Sequence, residues 1–226
     1  MDRQPKLCIL HVGKTGGSYL RSILRHNRAN WSRPLQLLRH SATMANTLEN
    51  FGETRQVAFT FRNPTDRFVS AFYSRQRQGR PTYQFQWSPA EAIAYLWFET
   101  AEELALALTS SDERQRSAAL FAFDAIEHLR SDMAIYFGNA ELLQLSKPSI
   151  VACVDVAHLT ECLPAFLRRI GVETFTMPKH PKFHAAPNPL PALSADAENA
   201  LRQHWAAEYE IYEAAQRIAA EQGLSG

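Results

Sequence analysis

A short glycine-rich segment follows an apolar run near the start of the sequence and contains one lysine. The apolar run, residues 7–12, is typical of a buried parallel strand, and the residues after the segment have the spacing of an amphipathic helix. Its glycines permit close backbone approach and positive φ angles, so we expect successive N–H groups to converge on an oxyanion at the helix N-terminus. The lysine adds a full positive charge. The candidate anion-binding residues, called the anion loop below, are Gly13, Lys14, Thr15, Gly16, Gly17 and Ser18.

The most familiar phosphate-binding motif of this kind is the Walker A loop, Gly-x-x-x-x-Gly-Lys-Ser/Thr. Gly13, Lys14 and Thr15 match its end, but the position of its first glycine is Cys8, inside the apolar run. A loop this short cannot wrap the β-phosphate of ATP in the usual way, and no obvious acidic magnesium partner follows a later strand. The residues therefore favour a shorter anion-binding loop.

A second apolar run, Val57–Phe61, ends at Arg62 and leads into a helix-like segment. Asn63 is a favourable N-cap, and Pro64 suits the first helical position. Ligands in open α/β sheets bind beyond the carboxyl ends of the strands. We therefore expect Arg62 to point into the same crevice as Lys14.

Together the two segments resemble the sulfotransferases that use 3′-phosphoadenosine 5′-phosphosulfate (PAPS), especially the Golgi-type carbohydrate enzymes and their bacterial relatives. That family's loop for the 5′-phosphosulfate reads His-Val-Pro-Lys-Thr-Gly-Gly-Thr, against His11-Val-Gly-Lys-Thr-Gly-Gly-Ser18 here. Arg62, followed eight positions later by Ser70, resembles the family's 3′-phosphate signature. A guanidinium with a nearby hydroxyl suits a terminal phosphate dianion. The resemblance implies sulfuryl transfer from PAPS, without a metal, to an acceptor hydroxyl on a carbohydrate or glycoconjugate.

Such a transfer needs a base, because a neutral alcohol is a poor nucleophile. His40 lies between the two segments, where some members of the family carry a catalytic histidine and others a glutamate. An imidazole suits the task because its unperturbed pKa lies near neutrality. The resemblance thus implies that His40 is the base and that Lys14 stabilises the charge on the leaving oxygen. Glu49 and Glu53 are the alternative bases. In the alternative interpretation of His40, it is a residue at a helix N-terminus whose hydrogen bonding is satisfied by Ser41.

The segment 179–188 is similar to the basic loop that closes over the nucleotide in this family. On that ground Lys182 is assigned to the donor, with Lys179 and His184 as alternatives. His180 and His184 have a metal-like spacing, but the proline between them argues against a helical pair, so we expect no metal there.

Two further groups of charged residues have structural interpretations. His11 ends the first strand, and we interpret it as a core residue rather than a partner of the anion loop. Arg75, Arg77 and Arg80 follow the second motif, and we interpret them as a solvated helix end rather than a site for an acidic acceptor.

The alternation of strands and helices predicts the α/β class, with a P-loop-like three-layer fold in which helices flank a central parallel sheet. The composition, 46% hydrophobic and 21% charged, supports one substantial core, so we expect a single sulfotransferase domain over residues 1–226. Ile150–Val154 is a third predicted strand. Further helices are predicted over Ser88–Leu108, Ala118–Arg130, Leu159–Ile170 and, as a pair or one long helix, Ser194–Gln222.

The formal net charge of +1 gives no general reason to expect a nucleic acid or an anionic membrane surface as partner. No run of about twenty apolar residues exists, so we expect no membrane span. Residues 1–6 lead almost directly into the first strand and leave no room for a secretory signal, which favours an enzyme of the bacterial cytoplasm. Cys8, Cys153 and Cys162 show no paired spacing, so we expect reduced thiols.

Two functions from other classes stay open. A P-loop kinase-like phosphotransferase would share the lysine and would require magnesium and ATP. A non-catalytic nucleotide-binding protein would keep Lys14, Arg62 and Ser70 but would not depend on His40.

Overall fold

The structure is a computed structural model that describes residues 7–49, 55–81, 83–179 and 189–225. Within those ranges the chain is an α/β protein in which helices flank an all-parallel sheet of four strands, as the sequence predicts. The strands are β1 (Leu7–Ile9), β2 (Leu35–Leu37), β3 (Gln56–Phe61) and β4 (Ile150–Asp155). The helices are α1 (Gly17–His26), α2 (Met44–Glu49), α3 (Pro64–Gln76), α4 (Pro89–Trp97), α5 (Ala101–Ala107), α6 (Glu113–Ala125), α7 (Glu127–Arg130), α8 (Met133–Phe137), α9 (Ala140–Leu145), α10 (Leu159–Arg169), α11 (Ala195–His204) and α12 (Ala206–Glu221).

The described residues divide into two compact units. The sheet unit consists of the described parts of 1–62, 133–183 and 210–226, and the helical unit of the described parts of 63–132 and 184–209. Each has its own cluster of buried hydrophobic side chains. The single domain expected over residues 1–226 stays a prediction.

The order of strands in the sheet unit is β2-β1-β3-β4. Cys8 in β1 pairs with Gln36 on one side and Val57 on the other, and Phe59 in β3 pairs with Cys153. The chain leaves β1 for β2 and then returns past β1 to form β3, so the strand order reverses between β1 and β3. A crevice at the carboxyl ends of two such strands is the usual ligand position in open parallel sheets.

Strand β2 is the element that the sequence pattern did not reveal. It has only three residues, and Leu35 and Leu37 are each half-buried. So short a run cannot show a period. Strand β2 nevertheless helps to position the candidate site, because it leads into the turn that contains His40.

The outer edge of β4 is closed by a side chain that follows α12. The amide oxygen of Gln222 accepts a hydrogen bond from the Cys153 N–H at 3.0 Å, and its amide nitrogen donates to the Ile150 carbonyl at 2.9 Å. The Gln222 amide thus takes the place of a neighbouring strand over part of β4. Cys8, Cys153 and Cys162 are free thiols, as expected.

In the helical unit, two capping boxes divide the helix predicted over Ser88–Leu108. Ser88 caps α4 with Glu91 as reciprocal partner, and Thr100 caps α5 with Glu103. The prediction of one continuous helix was therefore wrong, because each box satisfies the N–H groups of a separate helix start. The C-terminal helix is a pair, α11 and α12, one of the two forms predicted.

Helix α3 carries two fully buried arginines, each paired with a glutamate of the helical unit. Arg67 Nε lies 2.5 Å from Glu208 Oε1. The guanidinium of Arg75 meets Glu91 in a fork, with Nε–Oε1 2.6 Å and Nη2–Oε2 2.7 Å. The expectation that Arg75 belongs to a solvated helix end was wrong, because this ion pair compensates its burial.

Candidate functional site

The anion loop leaves β1 at the carboxyl edge of the sheet and leads into α1. Lys14 and Gly16 have φ angles of 64° and 78°, in the left-handed region. Gly13 and Gly17 do not have positive φ angles, so Gly16 alone among the three glycines of the loop uses the left-handed region. Lysine is rare in this conformation and costs about 1–2 kcal/mol there, so the loop holds its only lysine in a strained position.

The side chain of Thr15 attaches the loop to the sheet. Thr15 is fully buried, and its hydroxyl donates to the Val12 carbonyl at 3.1 Å. The same Oγ1 lies 3.1 Å from Oγ1 of Thr60, in β3. These contacts occupy the hydroxyl, so any contribution of Thr15 to an anion comes from its backbone N–H.

Helix α1 begins with an N-terminus suited to an anion. Gly16 occupies the N-cap position without a side-chain hydrogen bond, and the first turn contains no acidic residue. The first N–H groups of a helix lack intrahelical partners and carry partial positive charge. The backbone from Gly17 onward therefore provides donors at the same edge as Lys14.

Arg62 follows β3 and reaches the anion loop. Its Nη1 donates a long hydrogen bond, 3.5 Å, to the Lys14 carbonyl, and the side chain is half-buried. The structure thus brings together Lys14 and Arg62, the two cations that the sequence places at the ends of separate strands. They lie at the reversal of strand order between β1 and β3.

His40 lies in the turn between β2 and α2, and two hydrogen bonds hold the backbone of that turn. The Leu38 N–H donates to the Ile9 carbonyl at 3.0 Å, and Nη1 of Arg21 donates to the Leu38 carbonyl. The His40 side chain is exposed, and its ring stacks on that of His11, with centroids 3.7 Å apart and planes at 30°.

His11 itself is not the core residue that we expected from the sequence. It is half-buried, and its ring lies against the first residue of α1 as well as against His40. The signal in the sequence was its position at the end of a strand that leads into the loop. Its partner could not be predicted, because β2 and the order of the strands were unknown.

The surroundings of the His40 turn are positively charged. The pKa of the Arg21 guanidinium is lowered by burial and then by the positive charges of Arg25 and Arg39. Arg21 and Arg25 lie one turn apart on α1, and Arg39 directly precedes His40. This part of the sheet unit would attract anions.

Two of the remaining candidates lie on other helices that the structure describes. Ser70 is half-buried on α3, in the helical unit, and Glu49 is exposed at the end of α2. Glu53 and Lys182, with His180 and His184, lie outside the described residues. Among the residues that the structure describes, no group of three His, Cys, Asp or Glu side chains could hold a metal ion. Over the same ranges no helix has both the length and the apolarity needed to cross a membrane.

The sheet unit therefore combines Lys14, the N-terminus of α1 and Arg62 at one edge, with a pair of stacked imidazoles beside them. Such an arrangement can bind an anion and place a proton acceptor next to it. No protein-family model, curated protein or solved structure matches this chain.

Proposed function

We propose that this protein is a sulfotransferase that moves a sulfuryl group from PAPS to an acceptor hydroxyl on a carbohydrate or glycoconjugate. The observation that carries the proposal is the meeting of Lys14, the α1 N-terminus and Arg62 where the strand order reverses. This is the geometry by which open α/β sheets bind phosphorylated nucleotides. The resemblance of residues 11–18 and 62–70 to the PAPS-dependent family selects sulfuryl transfer among the reactions of such sites.

The charges of the site fit a donor that has two separate anionic groups. Lys14 and the N–H groups of residues 15–18 would hold the 5′-phosphosulfate, because the N-cap Gly16 provides no competing side chain. Arg62 would hold the 3′-phosphate. Bound PAPS would supply the sulfuryl group for the reaction.

The chain's own residues would perform three tasks. The Lys14 ammonium and the loop N–H groups would stabilise the negative charge that develops on the bridging oxygen as its bond to sulfur breaks. A ring nitrogen of His40 would accept the hydroxyl proton while the acceptor oxygen bonds to sulfur. The products would be the sulfate ester and 3′-phosphoadenosine 5′-phosphate (PAP), and the proton would pass from His40 to solvent.

The central experiment is calorimetric titration of PAP into the purified protein without metal, with magnesium-ATP as the comparison. We expect PAP to bind at micromolar concentrations or lower and Lys14→Ala to abolish this binding and the transfer. Lys147→Ala is the matched control, because Lys147 is exposed in the sheet unit and pairs with Glu221. A preference for magnesium-ATP would replace this proposal by the kinase-like alternative.

Arg62 is tested by comparing two nucleotides. Arg62→Ala should weaken PAP binding by about 1.5–3 kcal/mol, the range for a charged hydrogen bond, and should affect adenosine 5′-phosphosulfate much less. Adenosine 5′-phosphosulfate lacks the 3′-phosphate, so equal losses for both nucleotides would refute the assigned role.

Substitution of His40 distinguishes an enzyme from a protein that only binds the nucleotide. His40→Ala should lower turnover by about a hundredfold or more, the usual contribution of a general base, while PAP still binds. Unchanged turnover would assign the base to another residue, and PAP binding without turnover in the unaltered protein would favour the non-catalytic alternative.

A further inference from the structure

The side chain of His11 contacts two parts of the candidate site at once. Its ring stacks on the ring of His40 with centroids 3.7 Å apart. A Cβ atom at position 17 would lie 2.2 Å from Cδ2 of His11 and 2.7 Å from Nε2, which is closer than real atoms approach. Only glycine at position 17 leaves room for the imidazole in this place. His11 therefore fills the space between the start of α1 and His40.

Two hydrogen bonds hold the backbone of the His40 turn. The hydrogen bonds from Leu38 to Ile9 and from Arg21 to Leu38 fix the backbone that precedes His40. The His40 side chain itself is exposed to solvent and stacks on the ring of His11. An exposed side chain samples several rotamers unless a neighbour selects one. The stack with His11 would favour one rotamer of the His40 side chain.

We propose that His11 is a positioning residue that holds the His40 imidazole at a set distance from the anion loop. This inference rests on the proposed function, in which His40 is the base. His11 does not exchange protons with the substrate; it acts through the ring of His40. A displacement of about 1 Å in a reacting group can cost a hundredfold in rate, so the stack would affect turnover much more than donor binding.

The experiment compares His11→Ala, which removes the ring, with His11→Phe, which keeps a ring that can stack. His26→Ala is the matched control, because His26 is exposed on α1 and its Nε2 lies 3.1 Å from Oγ1 of Thr176, away from the stack. Three quantities are measured: kcat at saturating donor, the Kd of PAP, and the ring-proton chemical shifts of His40, assigned with His40→Gln. Urea unfolding reports whether each variant is folded.

We expect His11→Ala to lower kcat about tenfold to a hundredfold while the Kd of PAP changes less than about twofold. His11→Phe should recover most of kcat, and His26→Ala should equal the unaltered protein. The His40 ring protons should move downfield in His11→Ala, because the ring current of His11 is lost, and stay shifted upfield in His11→Phe.

Two results would overturn the inference. Unchanged kcat in His11→Ala would show that His40 needs no support, and equal losses in His11→Ala and His11→Phe would assign the role to the His11 nitrogens instead of its ring. Failure of the proposed function has a different signature: the unaltered protein would neither bind PAP nor turn over. The chemical shifts of His40 would then still show whether His11 holds its ring.

Discussion

Lys14 combines a strained backbone with the charge that the proposed function requires. Its φ angle of 64° is one that glycine adopts without cost, yet the loop has glycines on either side of this position and a lysine in it. Strain of this kind persists where the surrounding structure enforces it, and it is concentrated at functional sites. Two hydrogen bonds help to hold Lys14 in this conformation. Thr15 donates to the Val12 carbonyl, and Arg62 donates to the Lys14 carbonyl.

Because Lys14 is strained, substitutions at this residue should change the stability of the protein and its binding of PAP independently. Lys14→Gly should unfold with a free energy about 1 kcal/mol higher than Lys14→Ala, because glycine relieves the left-handed strain and alanine does not. Both variants should lose PAP binding, since both lose the ammonium group. Urea unfolding and calorimetry on the two proteins test this.

Equal stability of the two variants would mean that the loop relaxes when the lysine is removed. Gly13→Ala is a useful control for the loop, because a Cβ at position 13 would meet only the Tyr136 hydroxyl, at an ordinary 3.5 Å. That variant should keep its stability. Position 13 is also the position at which the PAPS-dependent family carries proline.

The sequence could predict that Lys14 and Arg62 lie at the same edge of the sheet, because each lies beyond the carboxyl end of a strand in a parallel sheet. It could not predict the stack of His11 on His40. That contact depends on β2, a strand of three residues, lying next to β1. Contacts set by the order of strands are not encoded in any local pattern.

Among the elements, the start of α4 depends on one carboxylate with several hydrogen-bond donors. Glu91 accepts from Nε and Nη2 of Arg75, from the Ser88 N–H in the capping box, and from the Glu127 N–H at 3.3 Å. A single side chain thus satisfies a helix start and compensates a buried guanidinium. The sequence predicted a helix that begins at Ser88, but it could not predict the ion pair, because no local pattern links Glu91 to Arg75, 16 residues earlier.

Glu91→Gln should lower the free energy of unfolding by about 3–5 kcal/mol, because it leaves the buried Arg75 with only the more distant Glu127 carboxylate, 4.0 Å from its Nε. Glu103→Gln is the matched control, since Glu103 holds the same capping-box position in α5 but is exposed and forms no such ion pair with a described residue. We expect that variant to change stability by less than about 1 kcal/mol. Urea unfolding of both variants measures the difference, and equal losses would contradict the importance of the ion pair.

The same carboxylate makes stability depend on acid pH. Burial raises the pKa of Glu91, but hydrogen bonds from Arg75 and from the Ser88 and Glu127 backbone outweigh burial, so the net pKa is lowered. A lowered pKa in the folded state means that the contribution to stability is complete above the unfolded value of about 4.3 and is lost as the pH falls below it. The stability difference between the unaltered protein and Glu91→Gln should therefore shrink between pH 5 and pH 2. A constant difference over that range would show that ionised Glu91 is not the cause.

At the scale of the whole molecule, the composition predicted one substantial core, whereas the described residues contain two clusters of buried hydrophobic side chains, one in each unit. The alternation of strands and helices was correct for the sheet unit. For residues 63–132 the sequence predicted helices and no strand, and five helices, α3 to α7, follow one another there without a described strand. Helical periodicity identifies helices, but it does not show which core they cover.

The protection of β4 by Gln222 leads to a prediction about association between molecules. Outer strands with open N–H and C=O groups invite pairing with other chains. Gln222→Ala removes the amide that covers Cys153 and Ile150, so we expect more aggregation on long incubation, measured by light scattering and thioflavin fluorescence. Gln216→Ala is the control, because Gln216 is exposed and bonds only the Tyr212 hydroxyl among the described contacts. Equal aggregation of both variants would show that the edge needs no cover.

The position of Gln222 in the sequence also has a consequence for synthesis on the ribosome. Cys153 and Gln222 are 69 residues apart, so β4 leaves the ribosome well before the side chain that covers it. At about 5–20 residues per second, this interval lasts roughly 3–14 s. During that time the nascent chain carries an uncovered strand edge, on which a chaperone or a neighbouring nascent chain could act.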